Sequence, residues 1–163
     1  MRKKIEKIKS LRNKKNFSIS VAESCTGGMI SSLLTSIDGA SQFFDGSIIS
    51  YSNDMKEEIL GVKKKTLLKF GAVSHQTALE MLRGMKKNCK SKILISVTGV
   101  AGPTGGTTKT PVGCVFFGVA TKIKSAYKFK TIKKIFKKST RRMVQIKTTD
   151  YVLDLIIKEI NSF

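Results

Sequence analysis

Tryptophan is absent from this chain, histidine occurs once, proline twice and cysteine three times, and only 11 carboxylates stand against 31 lysines and arginines. Each shortage excludes something. Cys25, Cys89 and Cys114 are widely spaced and odd in number, which argues against a disulfide framework. With no Cys-x-x-Cys pair and a single histidine, they argue equally against a zinc site, so no metal is expected. Long apolar runs are also missing. The longest, Val115 to Ala120, is far too short to span a bilayer, so no membrane partner is expected. The basic N-terminal stretch from Met1 to Lys9 is not followed by the apolar segment of a signal peptide, and the protein reads as cytoplasmic.

What remains is enough for one domain with a real core: 163 residues, 40% of them hydrophobic. The net charge of +20 raises the question of nucleic acid or another anionic surface. Arginine, however, stands only at positions 2, 12, 83, 141 and 142. The lysines run along the whole chain, and aromatics are sparse. Dedicated nucleic-acid surfaces favour arginine and interleaved aromatics, so compositional drift is the favoured reading. Nucleic acid is expected as a partner only non-specifically, through charge.

Hydrophobic periodicity predicts alternating helices and strands. Residues 2–15 read as an amphipathic helix on Ile5, Ile8 and Leu11. Phe43 to Tyr51 reads as a strand with Phe44, Ile48 and Ile49 towards the core. Ser52 or Asn53 caps a helix over 54–60, ended by Gly61. A short helix over Lys64–Phe70 precedes one capped by Ser74. Ile93 to Val97 and Val112 to Thr121 read as strands buried on both faces. Ala126 to Phe136 alternates apolar and basic residues, as an edge strand does. Thr140 to Ile160 closes the chain as a helix with Met143, Val144, Tyr151, Val152, Leu155 and Ile156 inward. The expected fold is a three-layer α/β/α sandwich on a mixed, mostly parallel sheet, because two successive strands within 112–136 must run antiparallel.

One stretch organises the rest: Ile19-Ser-Val-Ala-Glu-Ser-Cys-Thr-Gly-Gly-Met-Ile-Ser-Ser-Leu-Leu34. It starts with strand periodicity and ends with helical spacing, with a polar glycine turn between. Unpaired amides at the helix start, with the positive end of its dipole, predict a site for an anion or a developing oxyanion. Ser24 at its mouth reads equally well as a helix cap or a nucleophile, and Cys25 as a small buried filler. A serine nucleophile needs a base. His75 reads as an exposed first-turn residue, which disfavours a Ser-His-Asp triad. Lys56, in Tyr51-Ser-Asn-Asp-Met-Lys56, is the alternative. To act so, its pKa of about 10.4 must fall to roughly 7–8, a cost of about 3–4 kcal/mol. On charge alone it is one more solvated lysine. The loop over 99–113 carries Gly99, Gly102, Gly105 and Gly106 with Pro103. It matches neither the P-loop nor the dinucleotide fingerprint, and phosphate cradle and plain turn are equal readings.

Three segments in order are more specific than any one: Ala22-Glu-Ser-Cys-Thr-Gly-Gly28, Tyr51-Ser-Asn-x-x-Lys56, and Thr98-Gly-Val-Ala-Gly-Pro-x-Gly-Gly106 with Pro111-Val-Gly113. With Gly71-Ala-Val-Ser74 between them, they resemble the CinA carboxy-terminal domain family, whose stand-alone members are nicotinamide-nucleotide amidases. The resemblance spans roughly residues 5–160. It implies a single amidase domain over 1–163, without the amino-terminal domain of longer members. The implied reaction converts nicotinamide mononucleotide and water to nicotinate mononucleotide and ammonia, in pyridine-nucleotide salvage and without a cofactor. Ser24 would be the nucleophile, Lys56 the general base and Tyr51 an assisting proton donor or orienting group. Cys25, Thr26, Gly27, Gly28, Gly102, Gly105, Gly106 and Lys109 would bind the nucleotide. A homodimer or higher homo-oligomer is implied.

The chain departs from the family pattern at Thr110, where lysine usually precedes Pro-Val-Gly, and in Lys137-Lys-Ser-Thr-Arg141, which lacks a glycine. A nucleotide-binding or regulatory protein of the same fold with little turnover is the alternative function. A basic nucleic-acid-binding protein is the third.

Overall fold

The computed structural model describes residues Met1–Phe163. Its centre is a five-stranded sheet in the order β2-β1-β3-β4-β5. The strands are β1 (Ile19–Glu23), β2 (Phe44–Ile49), β3 (Ile93–Gly99), β4 (Cys114–Ile123) and β5 (Ala126–Ile135). β1 pairs in parallel with both β2 and β3, while β4 runs antiparallel to β3 and to β5. The mixed sheet expected from the short connection between β4 and β5 is therefore present, and its parallel part is the part that carries the glycine turn.

Helices cover both faces. On one, α1 (Arg2–Arg12), α2 (Met29–Leu34) and α6 (Arg141–Asn161) pack against Ile19, Val21, Ile95, Val97, Phe117 and Val119. On the other, α4 (Lys64–Phe70) and α5 (His75–Asn88) cover Ala22, Leu94 and Ala120 with Leu67, Met81, Leu82 and Met85. Period-two alternation in β1 and β3 sends successive side chains to the two cores, so these central strands carry almost no solvated position. This is a three-layer α/β sandwich.

The edge strands differ. β5 alternates exposed and half-buried residues, as its lysine pattern predicts. β2 does so too, which overturns the inward placement of Ile49: at the sheet margin it is 45% exposed, while Phe43, just before the strand, takes the core place. Met143, in the first turn of α6, is likewise exposed rather than inward, and Val144 beside it takes the buried place.

The C-terminal ends of β1, β2 and β3 meet the start of β4 at one end of the sheet. α2 leaves β1 over one face, and the chain from β2 returns to β3 over the other. Such a divergence opens a crevice beyond the strand ends, the usual ligand site of open α/β sheets. α3 (Asn53–Glu58) sits above it, capped by the Ser52 hydroxyl accepting from the Met55 amide. Its far end is pinned at Gly84 of α5, where a Cβ would stand 1.9 Å from the Leu60 carbonyl oxygen. Only glycine permits that approach.

Candidate active site

Ser24 leaves the end of β1 just after Glu23, and Lys56 descends from α3. Lys56 Nζ lies 3.0 Å from Ser24 Oγ. It also faces three backbone carbonyls, those of Ser50 at 2.8 Å, Tyr51 at 3.3 Å and Ser52 at 3.4 Å. The lysine is 1% exposed and Ser24 is 7% exposed. One solvated lysine among many, the bland expectation for Lys56, is thus excluded. Burial holds its pKa below the usual lysine range. Cys25 pulls the other way, yet burial pushes that thiol up to about 12, so it is uncharged at neutral pH and its pull is idle.

Burial favours the neutral amine over the ammonium here. A neutral amine has two N–H groups and one lone pair. In that form two of the three carbonyls accept the N–H groups, and the lone pair is left to accept the Ser24 hydroxyl proton. The same carbonyls then stabilise the ammonium that forms. Cys25, buried and protonated, lacks the thiolate character a nucleophile needs.

The glycine turn contains a carboxylate where an anion site was expected. Glu23 is fully buried and turned back under its own turn. One oxygen accepts from Thr26 Oγ1 at 2.7 Å and from the amides of Gly28 at 3.0 Å and Ile30 at 3.2 Å. The other accepts from the Ser31 amide at 2.9 Å and from the Ser31 hydroxyl. The amides at the start of α2 are therefore occupied, and the helix begins at Met29. The amides of Cys25 and Thr26 make no backbone hydrogen bond. Of the two, Cys25 lines the crevice with Ser24, and its amide remains as a donor for an oxyanion there. Gly27 and Gly28, with φ of 58° and 95°, make the sharp reversal that brings Glu23 under the helix.

A crevice of about 200 Å³ opens over Ser24 and Lys56. Ala72, Val73, Thr98, Gly99 and Ala101 form its wall, with Tyr51, Asn53 and Arg141 at its rim. The structure thus brings Ser24, Lys56, Tyr51 and Cys25 together. Tyr51 is 58% exposed, and its hydroxyl is hydrogen-bonded to the Arg141 guanidinium. Arg141 also donates to the Gly102 carbonyl at 3.0 Å, tying the glycine loop to α6.

Other expected binding residues lie elsewhere. Thr26, Gly27 and Gly28 line a separate depression with Arg142 and Gln145. Gly105, Gly106 and Lys109 are exposed and do not line the crevice. The Lys109 carbonyl accepts from Lys133, and its ammonium lies outside. His75 is away from the crevice, bonded to Thr131 at 2.9 Å and edge-on to Phe116. Arg141 was the residue missed as a site component. It sits some ninety positions from Tyr51, and its only sequence signal is an arginine just after the Thr140 helix cap.

Known proteins resemble this chain in sequence and in fold. The family model of the CinA C-terminal domain matches residues 1–160. A CinA-like protein of Pseudothermotoga lettingae is 44% identical over 153 residues, which cover 94% of this chain and 36% of that protein. A putative competence-damage inducible protein of Thermoanaerobacter pseudethanolicus is 42% identical, covering 93% and 35%. The chain thus spans about a third of the length of these curated relatives. The crystal structure of competence/damage inducible protein CihA from Agrobacterium tumefaciens superposes with a TM-score of 0.89 at 33% identity, covering 98% of this chain and 94% of that one. A CinA superfamily protein from Enterobacter cloacae gives 0.86 at 30%, covering 96% and 90%. With residues 1–160 matched by the family model, the chain belongs to the CinA C-terminal domain family.

Proposed function

We propose that the crevice is the active site of an amidohydrolase acting on nicotinamide mononucleotide. The observation that carries the reading is the buried Lys56–Ser24 contact at 3.0 Å, with only carbonyls around the rest of the amine. The substrate follows from the family resemblance, and the crevice is consistent with it: a small, partly apolar slot for the pyridine carboxamide, with a guanidinium at its rim for the phosphate end.

Neutral Lys56 takes the Ser24 proton as Oγ bonds to the carboxamide carbon. The carbonyl electrons move onto oxygen, where the Cys25 amide donates. The C–N bond then breaks, its electron pair leaves with nitrogen, and Lys56 returns the proton to form ammonia. Water attacks the Ser24 ester with Lys56 again as base. Nicotinate mononucleotide leaves and Ser24 is restored. Tyr51, held by Arg141, orients the substrate at the rim.

Ammonia release from nicotinamide mononucleotide, with Ser24→Ala and Cys25→Ala run in parallel, tests this. Turnover should vanish in Ser24→Ala and persist in Cys25→Ala. The reverse pattern overturns the assignment of the nucleophile. No turnover in the wild type, with the nucleotide still bound, would support the binding-protein reading instead.

A further inference from the structure

The end of the sheet opposite Ser24 carries a feature that amide hydrolysis does not use. β4 and β5 join there in a hairpin at Lys124. On one side of it Lys90, Lys92, Lys122 and Lys124 line a basin of about 390 Å³ with Asn16, Phe17 and Ser18, and no carboxylate. On the other side Lys128, Lys130 and Lys158 line a second basin of about 330 Å³. Its one carboxylate, Glu159, is already held by Lys130 and by Thr121 Oγ1 at 2.7 Å. The remaining lysines of both basins enter no ion pair.

One of them is held in place. Lys92 is half-buried, donates to the Asn16 carbonyl at 3.4 Å and lies 3.7 Å over the Phe163 ring. Lys124 adopts φ 55°, a conformation that glycine or asparagine takes more easily. Like charges gathered in one basin repel, and an anion lowers that energy. Two basins flanking one ridge suit a run of phosphates better than a single small anion. Phe17 is buried and no aromatic lines the second basin, so bases have no surface to stack on, which disfavours single strands.

We propose that the β4–β5 hairpin and its two lysine basins bind the phosphate backbone of duplex nucleic acid, without reading base sequence. The surface lies at the opposite end of the sheet from the crevice, so a bound duplex leaves Ser24 open. This inference does not depend on the proposed amidase reaction.

The test is titration of the full chain onto a short mixed-sequence duplex DNA at several salt concentrations, read by fluorescence anisotropy. Lys90, Lys92, Lys122 and Lys124 are changed together to Gln in one variant. A second changes Lys122, Lys124 and Lys128 and spares the stacked Lys92. A control changes Lys63, Lys64, Lys65 and Lys69 at α4, losing as much charge as the first. Each lost phosphate contact lowers the salt slope by about 0.9, so the first variant should lose about 3–4 units of slope and more than tenfold in affinity near 0.1 M salt. The control should lose much less. Equal losses in hairpin and control variants, tighter binding of single strands than of duplex, or no duplex binding by the wild type would overturn the proposal.

Discussion

Replacing Lys56 with Met separates the two consequences of burying this amine. Methionine keeps most of the volume in a site that is 1% exposed, so packing changes little. It removes the acceptor for the Ser24 proton, and kcat should fall about 10²–10⁴-fold, the usual worth of a positioned base. The stability effect has a definite sign. Lys56 has a lowered pKa in the native state, whereas the unfolded chain holds the proton with the ordinary value of 10.5. Below the native pKa both states are protonated, and the native state bears the full cost of a buried ammonium. As pH rises through that pKa the native state sheds its proton first, and the cost shrinks until it disappears near 10.5. In this window the unfolded state binds more protons, so stability gains with pH, by about 1.4 kcal/mol in total for each unit of depression. Lys56→Met lacks this contribution. Its urea-derived stability relative to wild type should therefore be most favourable at the low end of the window and decline as pH rises. Wild-type kcat/KM should climb along a limb centred below 10.5, as Lys56 loses its proton in the free enzyme. A wild-type limb at or above 10.5, or a stability difference independent of pH, would refute the neutral-lysine argument.

Other perturbations probe the scaffold. Glu23→Ala orphans three amides and two hydroxyls around a fully buried site and should cost about 3–5 kcal/mol in urea unfolding, although the residue does not line the crevice. Arg141→Ala releases both Tyr51 and the Gly102 carbonyl. It should raise KM for the nucleotide more than it lowers kcat, as steady-state kinetics will show. Gly84→Ala forces a methyl into the Leu60 carbonyl and should cost about 1–3 kcal/mol by thermal melting. By displacing the end of α3, it should also lower kcat without touching the crevice.

Periodicity, caps and turn residues made much of this protein legible. β3 and β4 read as buried strands because unbroken apolar runs have no other economical place. Ser52, Ser74 and Thr140 each cap the helix they precede, a local hydrogen bond that needs no tertiary partner. The candidate nucleophile and base were legible as residue types in motifs. Their protonation state was not. A lysine in sequence is a solvated cation until a fold removes its water, and only the stacking of α3 over the ends of β1 and β2 does so here. The amides of α2 were equally ambiguous. The turn predicts donors, and whether an outside anion or Glu23 fills them depends on how far the chain reverses at Gly27 and Gly28. Arg141, brought to Tyr51 from the far end of the chain, had almost no local signal at all. Sequence by itself determined what depends on neighbours in the chain: elements, caps, the direction of the fold. The tertiary structure alone decided what depends on desolvation and on long-range approach, and those two effects set the chemistry of the crevice.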